Sequence, residues 1–204
     1  MVENDIAGID INMGCPKSFS LSGGMGAALL TQPEKISKIL TNLKNNLKIP
    51  VTCKIRCLQD KDETVKLAKM IEGTGVDAIA VHGRTKSERP QHKNREDYIA
   101  AIADCLMIPI IANGGSSYLQ TQSDILKFKE RTHCSSVMVG RAAIKNCSIF
   151  RKDNVDLTLD ERIDLYLRYA IDYDNHVINT KYCIQQMLGP LQELPEGKLL
   201  LSKF

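Results

Sequence analysis

The chain has 204 residues, with 27 Lys+Arg against 24 Asp+Glu for a net charge of +3; 43% of its residues are hydrophobic and 25% charged. Those values suit a globular protein of one domain, or one domain with a small annex, and exclude a disordered or low-complexity chain. No apolar run approaches the roughly 18 residues of a membrane span, and the opening residues 1–5 lack the basic-then-apolar pattern of a signal peptide.

The chain reads as a repeated strand, loop and helix. Residues 6–12 (IAGIDIN) predict a strand, and residues 26–47 a helix with Ile36, Ile39, Leu40 and Leu43 at helical spacing. Residues 51–56 (VTCKIR) predict the next strand, and residues 63–73 a helix closed by Gly73 and Gly75. The third strand covers 78–82 (AIAVH), followed by a polar loop and a helix over 96–106. A strand over 108–113, a helix over 122–131 and a strand over 136–140 complete the series. Five strands alternating with helices imply parallel pairing through right-handed crossovers. Beyond residue 156 the pattern is helical. Ile163, Tyr166, Leu167, Ala170 and Ile171 form one stripe, and Ile184, Met187, Leu188 and Leu191 another, with Asn179 or Thr180 as the predicted cap of the second helix. Tyr166, Tyr169, Tyr173 and Tyr182 read as helix packing. Residues 1–156 are thus expected to form the α/β part and 157–204 a helical annex, ending in an apolar segment at 198–204.

The seven cysteines, Cys15, Cys53, Cys57, Cys105, Cys134, Cys147 and Cys183, are scattered and contain no Cys-x-x-Cys pair. No metal site is expected from them. Without a secretion signal, free thiols in a reducing compartment are the default, so the chain is expected in the cytoplasm or nucleus.

Strand alternation divides the polar residues from the apolar ones. Val51, Cys53 and Ile55 share one face and Thr52, Lys54 and Arg56 the other; Ile9 and Ile11 likewise oppose Asp10 and Asn12. The apolar set belongs under the helices. A Lys and an Arg on the opposite, inner face are costly unless a counter-charge or ligand meets them. The C-terminal strand ends are polar or glycine-rich throughout: Asn12 to Cys15, Lys54 with Arg56, His82 to Arg84, Asn113 to Ser116, and Gly140 with Arg141. In a doubly wound sheet only the strands at the switch point meet a ligand. In a (β/α)8 TIM barrel all strand ends converge on one mouth, which favours the barrel. Asn113, Gly114, Gly115, Gly140 and Arg141 follow the last two strands, where such barrels bind phosphate through backbone N–H groups. Each of these residues has an ordinary structural reading when taken alone; together they indicate a site.

Ordered blocks carry a resemblance. Residues 8–16 (GIDINMGCP) and 23–30 (GGMGAALL) resemble the signature of the tRNA-dihydrouridine synthases. Residues 50–56 (PVTCKIR), 81–85 (VHGRT), 111–115 (IANGG) and 137–143 (VMVGRAA) follow in that family's order and spacing. Residues 88–92 (ERPQH), 173–176 (YDNH) and 179–183 (NTKYC) resemble its eukaryotic type, which acts at position 20 of the D-loop. The resemblance implies FMN-dependent reduction of a tRNA uridine, with NADPH or NADH reloading the flavin. It implies Cys15 as the general acid, Lys54 and His82 as flavin contacts, Asn12 as a residue positioning the uracil, and Asn113, Gly114, Gly115, Gly140 and Arg141 as the FMN phosphate site. Residues 84–95 carry a local net charge of +4, so the rest of the chain is slightly acidic. Arg84, Lys86, Arg89 and Lys93 there, with Arg56, are the expected substrate contacts, through phosphates in particular. The helical annex resembles the family's tRNA-binding domain.

The family's barrel has eight βα units, and the five here match its last five, with Asn4 leading into the fourth. The expected fold is therefore a partial barrel with open edges, whose strands would pair with another chain if it folds alone. Cys147 stands where relatives often have proline. Two other functions are open. One is a catalytically inactive fragment that holds RNA or a partner. The other is an FMN barrel acting on free pyrimidines, against which the basic loop and the helical annex argue. Flavin binding separates the first from the enzyme, and tRNA against free bases the second.

Overall fold

Strands that alternate with helices favour parallel pairing, and one parallel sheet results. The computed structural model describes residues 5–152 and 157–202. Residues 1–4, the last residues of the 1–156 segment (153–156) and the end of the apolar 198–204 segment (203–204) lie outside the described residues. Strands β1 (Ile9–Asn12), β2 (Val51–Arg56), β3 (Ala78–His82), β4 (Ile110–Asn113) and β5 (Ser136–Met138) lie side by side in chain order, each pair parallel. Every step needs a crossover, and helices supply them: α1 (Ser18–Ser22) and α2 (Pro33–Asn46), then α3 (Lys61–Glu72), α4 (Glu96–Cys105) and α5 (Gln122–Arg131). The order never reverses, as it would at the switch point of a doubly wound sheet. It is the order of a barrel wall.

The expected division of faces holds. Val51, Cys53 and Ile55 are fully buried, while Thr52, Lys54 and Arg56 are half-buried. Register places Ile79 and Val81 of β3 beside Cys53 and Ile55, with Ile110 and Ala112 of β4 next in line. Ile36 and Leu40 of α2, Leu67 and Ile71 of α3, Ile99 and Ile102 of α4 and Phe128 of α5 are buried as well. Each such side chain stabilises the fold by about 1.5–3 kcal/mol over its exposed state.

Several boundaries differ from the sequence reading. The helix expected over 26–47 is two pieces: a 3-10 turn over Gly26–Thr31 and then α2, which opens with Pro33. Pro33 has no N–H and its ring blocks the preceding turn, so it starts a helix and cannot continue one. The strand expected from 108 begins at Ile110, since Pro109 cannot donate to the ladder. The first strand is trimmed to Ile9–Asn12 and the last to Ser136–Met138.

The chain divides into two compact units. The first takes Met1–Gly115 with Leu126–Met138, and the second Ser116–Ile125 with Val139–Phe204. In the second unit lie α6 (Arg141–Lys145), α7 (Leu159–Asp172), α8 (Val177–Leu188) and α9 (Pro195–Ser202). A capping box starts α7: the Thr158 hydroxyl accepts from Glu161 N, and the Glu161 carboxylate accepts from Thr158 N at 2.8 Å. The cap of α8 is His176, not Asn179 or Thr180; its Nδ1 accepts from Ile178 N. Of the predicted stripes, Ala170 and Ile184 are buried, whereas Ile171 and Leu191 are exposed. Tyr169, Tyr173 and Tyr182 also face solvent, so helix packing holds only for the half-buried Tyr166. Among the described residues no helix is long and apolar enough to cross a membrane.

Candidate active site on the polar face of the sheet

Register assembles the site. Asn12 of β1 is the partner of Lys54 in β2, and Arg56 is followed by His82 of β3 and Asn113 of β4 in one row. Partners in parallel strands project to the same face. Asn12, Lys54, Arg56, His82 and Asn113 therefore share the polar side of the first unit, toward the C-terminal strand ends.

The segment after β1 is shaped by Asn12. Its Oδ1 accepts from Gly14 N at 3.1 Å and from Cys15 N at 3.0 Å, an Asx turn that aims the following residues. The far side of the loop closes where Ala27 N donates to Cys15 O at 2.9 Å. Cys15 is half-buried and keeps a free thiol. Gly26 passes directly beneath it at φ +56°, where a Cβ would lie 2.7 Å from Cys15 O and 2.9 Å from Cys15 Cβ. Gly26→Ala is expected to lower stability by about 1–3 kcal/mol and to change the alkylation rate of Cys15, read by denaturant unfolding and iodoacetamide trapping. Cys53 and Cys57, by contrast, are buried thiols pushed up to about 12 by desolvation, and are inert at neutral pH.

Lys54 has no hydrogen-bond or ion-pair partner among the described residues. Burial, and secondarily the Arg56 guanidinium, bring its ammonium down to about 8, with Asp10 acting the other way. Asp10 itself accepts from the Thr52 hydroxyl at 2.7 Å. Arg56 is engaged in scaffolding: Nε donates to Gly14 O at 2.7 Å and Nη1 to Thr85 O at 3.0 Å, tying the loops after β1 and β3. Asn113 donates from Nδ2 to Met138 O at 2.8 Å and so fixes the end of β4 to β5. Gly114 and Gly115 follow at φ +123° and +69°. A side chain on Gly114 would collide with the Asn94 amide, and one on Gly83 would meet Asn94 Oδ1 at 2.5 Å. Asn94, buried at 3% exposure, thus keys the loop after β3 against the loop after β4, and both glycines exist to admit it.

The basic loop over 84–95 has a different charge pattern from its composition. Arg84 is 3% exposed, with Nε donating to His92 O at 2.7 Å and Nη2 to Pro90 O at 3.1 Å. Arg95 is paired with Glu88, whose carboxylate also accepts from Thr85 N at 2.7 Å. Lys86, Arg89 and Lys93 are the exposed cations. Of the five cations expected to create the +4 patch, two are thus spent on the loop's own fold. The hydrogen bond from Arg95 holds the Glu88 carboxyl down at about 2. Its folded pKa lies below the unfolded value of 4.5, so the pair supports the fold fully above pH 4.5 and loses that support as pH falls from there toward 2. Glu88→Gln should cost about 1–3 kcal/mol at pH 7 and flatten the acid limb of the stability profile, measured by thermal unfolding between pH 3 and 7.

Gly140 and Arg141 belong to the second unit, where Gly140 precedes and Arg141 opens α6. Among the described residues no cluster of His, Cys, Asp and Glu could hold a metal ion. Asn94 and the Glu88–Arg95 pair escape sequence reading because a polar loop gives no period from which burial can be read. The three-residue spacing of Thr158 and Glu161 was an available signal for the start of α7.

Solved structures share this architecture at low identity. A phosphonopyruvate hydrolase complex superposes with TM-score 0.54 at 13% identity, covering 99% of this chain and 84% of that one. An N-acetylneuraminate lyase from Mycoplasma synoviae gives 0.50 at 18% identity, over 80% and 54%. Such likeness concerns the fold, that of the TIM-barrel enzymes. Sequence relatives are closer. The tRNA-dihydrouridine(20) synthase (NAD(P)+) of Schizosaccharomyces pombe is 37% identical over 195 residues, 92% of this chain and 40% of that protein. The enzyme of the same name from Saccharomyces cerevisiae is 31% identical over 92% of this chain and 52% of its own length. The tRNA-dihydrouridine synthase B of Pasteurella multocida is 34% identical over 79% and 51%. The chain thus spans about half the length, or less, of these relatives. The dihydrouridine synthase family model matches residues 1–196, and with that match the chain belongs to the dihydrouridine synthase family.

Proposed function

We propose that this chain carries the catalytic face of an enzyme that reduces uridine to 5,6-dihydrouridine in the D-loop of tRNA, at position 20. FMN is the cofactor on this reading, NADPH or NADH the electron donor, and the cytosol or nucleus the place of action. The observation that carries it is the register that sets Lys54, His82 and Asn113 on one polar face beside the Cys15 loop. A half-buried ammonium with no hydrogen-bond or ion-pair partner among the described residues fits an electron-rich ligand ring, and His82 and Asn113 extend that face with polar groups. Gly114 and Gly115 turn the chain at the strand end suited to a phosphate; Gly140 and Arg141 are kept for that role on their motif alone.

FMN, once bound and reduced by NADPH or NADH, would supply a hydride for C6 of the base. The Cys15 thiol gives its proton to C5, leaving a thiolate that regains a proton from solvent. A thiol suits this step because it stays protonated until carbanion character develops at C5. Asn12 holds the loop that presents the thiol. The base must leave the RNA stack to reach it, and the exposed Lys86, Arg89 and Lys93 offer phosphate contacts for that substrate.

The test is incubation of the chain with FMN, NADPH and either unmodified tRNA or free uridine. Dihydrouridine formed in tRNA alone is the expected result. Reduction of free uridine alone would favour an oxidoreductase of free pyrimidines, and tRNA binding without reduction an inactive fragment; either result would overturn the proposal.

A further inference from the structure

The structure assigns Arg84 a role its sequence context does not suggest: it is a positioning residue that fixes His82 as a neutral imidazole protonated on Nδ1. Arg84 Nη1 lies 3.1 Å from His82 Nε2. A guanidinium has five N–H donors, no acceptor, and never loses its charge in a protein. The contact is a hydrogen bond only if Nε2 carries a lone pair. The single ring proton then sits on Nδ1, and an imidazolium, with protons on both nitrogens, is excluded while the contact lasts.

Arg84 is placed to keep that contact. It is 3% exposed, and its two other nitrogens are held by His92 O and Pro90 O, so the fork cannot swing away without abandoning two carbonyls. The surrounding charges act in the same direction. Arg56 is the register partner of His82 on β2, with Lys54 on the same face of that strand; β4 offers the uncharged Asn113. Within the loop, Glu88 is paired with Arg95, and the His92 ring accepts at Nδ1 from Arg89 N. Asp10 on β1, bonded to Thr52, lies toward the other end of the polar face. The Arg84 guanidinium at 3.1 Å and Arg56, the register partner of His82, are both cationic and disfavour a second proton on the ring.

This deepens the proposed function and rests on it in one respect, that His82 faces the cofactor. There His82 is a hydrogen-bond donor through Nδ1–H at every pH near neutrality and not a source of protons, which leaves proton delivery to Cys15. It also explains why a cation is buried inside a basic loop: Arg84 serves His82 and not a phosphate.

The experiment is long-range proton–nitrogen NMR on the uniformly nitrogen-15-labelled chain, without flavin or RNA. The chain has four histidines, and His82→Gln identifies the signal by its loss. The expected result is an Nδ1-protonated ring that does not titrate between pH 6 and 8. Arg84→Gln, which removes the obligate donor, should move the midpoint up by on the order of one unit or more, toward the ordinary 6.5. An Nε2-protonated ring in the unaltered chain, or a midpoint near 6.5 there, would overturn the inference whether or not the variant folds. So would an unchanged ring in folded Arg84→Gln. None of these readouts depends on catalysis, so failure of the proposed function and failure of this inference are separate results.

Discussion

Replacing Cys15 with alanine should lower dihydrouridine formation in tRNA by about two to four orders of magnitude, the usual worth of a positioned general acid. Flavin retention should be unchanged. The thiol stands in a loop beyond β1, while Lys54, His82 and Asn113 lie in the strands themselves. Cys15→Ser should rescue little, because a hydroxyl holds its proton far more tightly than a thiol. Both variants should keep the fold, since the hydrogen bonds of residue 15 run through its backbone: N to Asn12 Oδ1 and O from Ala27 N. The measurement is product yield by mass spectrometry of digested tRNA, beside the flavin absorbance of each variant. Loss of flavin together with activity in Cys15→Ala would make the residue structural.

Lys54→Met should have two opposite effects. Flavin retention should fall by at least about tenfold, as expected for loss of one charge-assisted contact of 1.5–3 kcal/mol. The ligand-free fold should become more stable at pH 7. The Lys54 ammonium is brought down from 10.5 to about 8, chiefly by burial. The penalty of holding it charged is therefore fully present below pH 8 and is relieved as pH rises from 8 to 10.5, because across that window the unfolded chain binds more protons than the native one. At 1.36 kcal/mol per unit the penalty is about 3 kcal/mol at most. Stability of the unaltered apo chain should accordingly rise with pH through that window, and Lys54→Met should remove the rise. A variant that loses stability at pH 7 would show that the ammonium is compensated inside the fold, not held for a ligand.

The elements most legible in the sequence were those whose period is enforced by burial on one side. Alternation in VTCKIR separated Lys54 and Arg56 from Val51, Cys53 and Ile55, and the register confirmed that division across four strands. Helix α5 was bounded correctly over 122–131. Pro33 was the local signal overlooked in the 26–47 helix, because apolar spacing on both sides masked the break. The exposed Ile171 and Tyr173 could not be foreseen, since periodicity shows which residues share a stripe but not what covers it. Within the site, positions came from motifs, whereas Arg56 as a strut between two loops and Arg84 as a brace inside its own loop required coordinates. Charge counted along a sequence overstates what a surface presents, because Arg84 and Arg95 are spent inside the loop that carries them.

On the proposed reading, the polar face built by Asn12, Lys54, His82 and Asn113 holds a flavin. The most direct test is the visible absorption spectrum of the purified chain after incubation with FMN and desalting. The expected result is a flavin spectrum retained in near-stoichiometric amount by the unaltered chain and lost in Lys54→Met. A colourless chain that is folded by circular dichroism would contradict it.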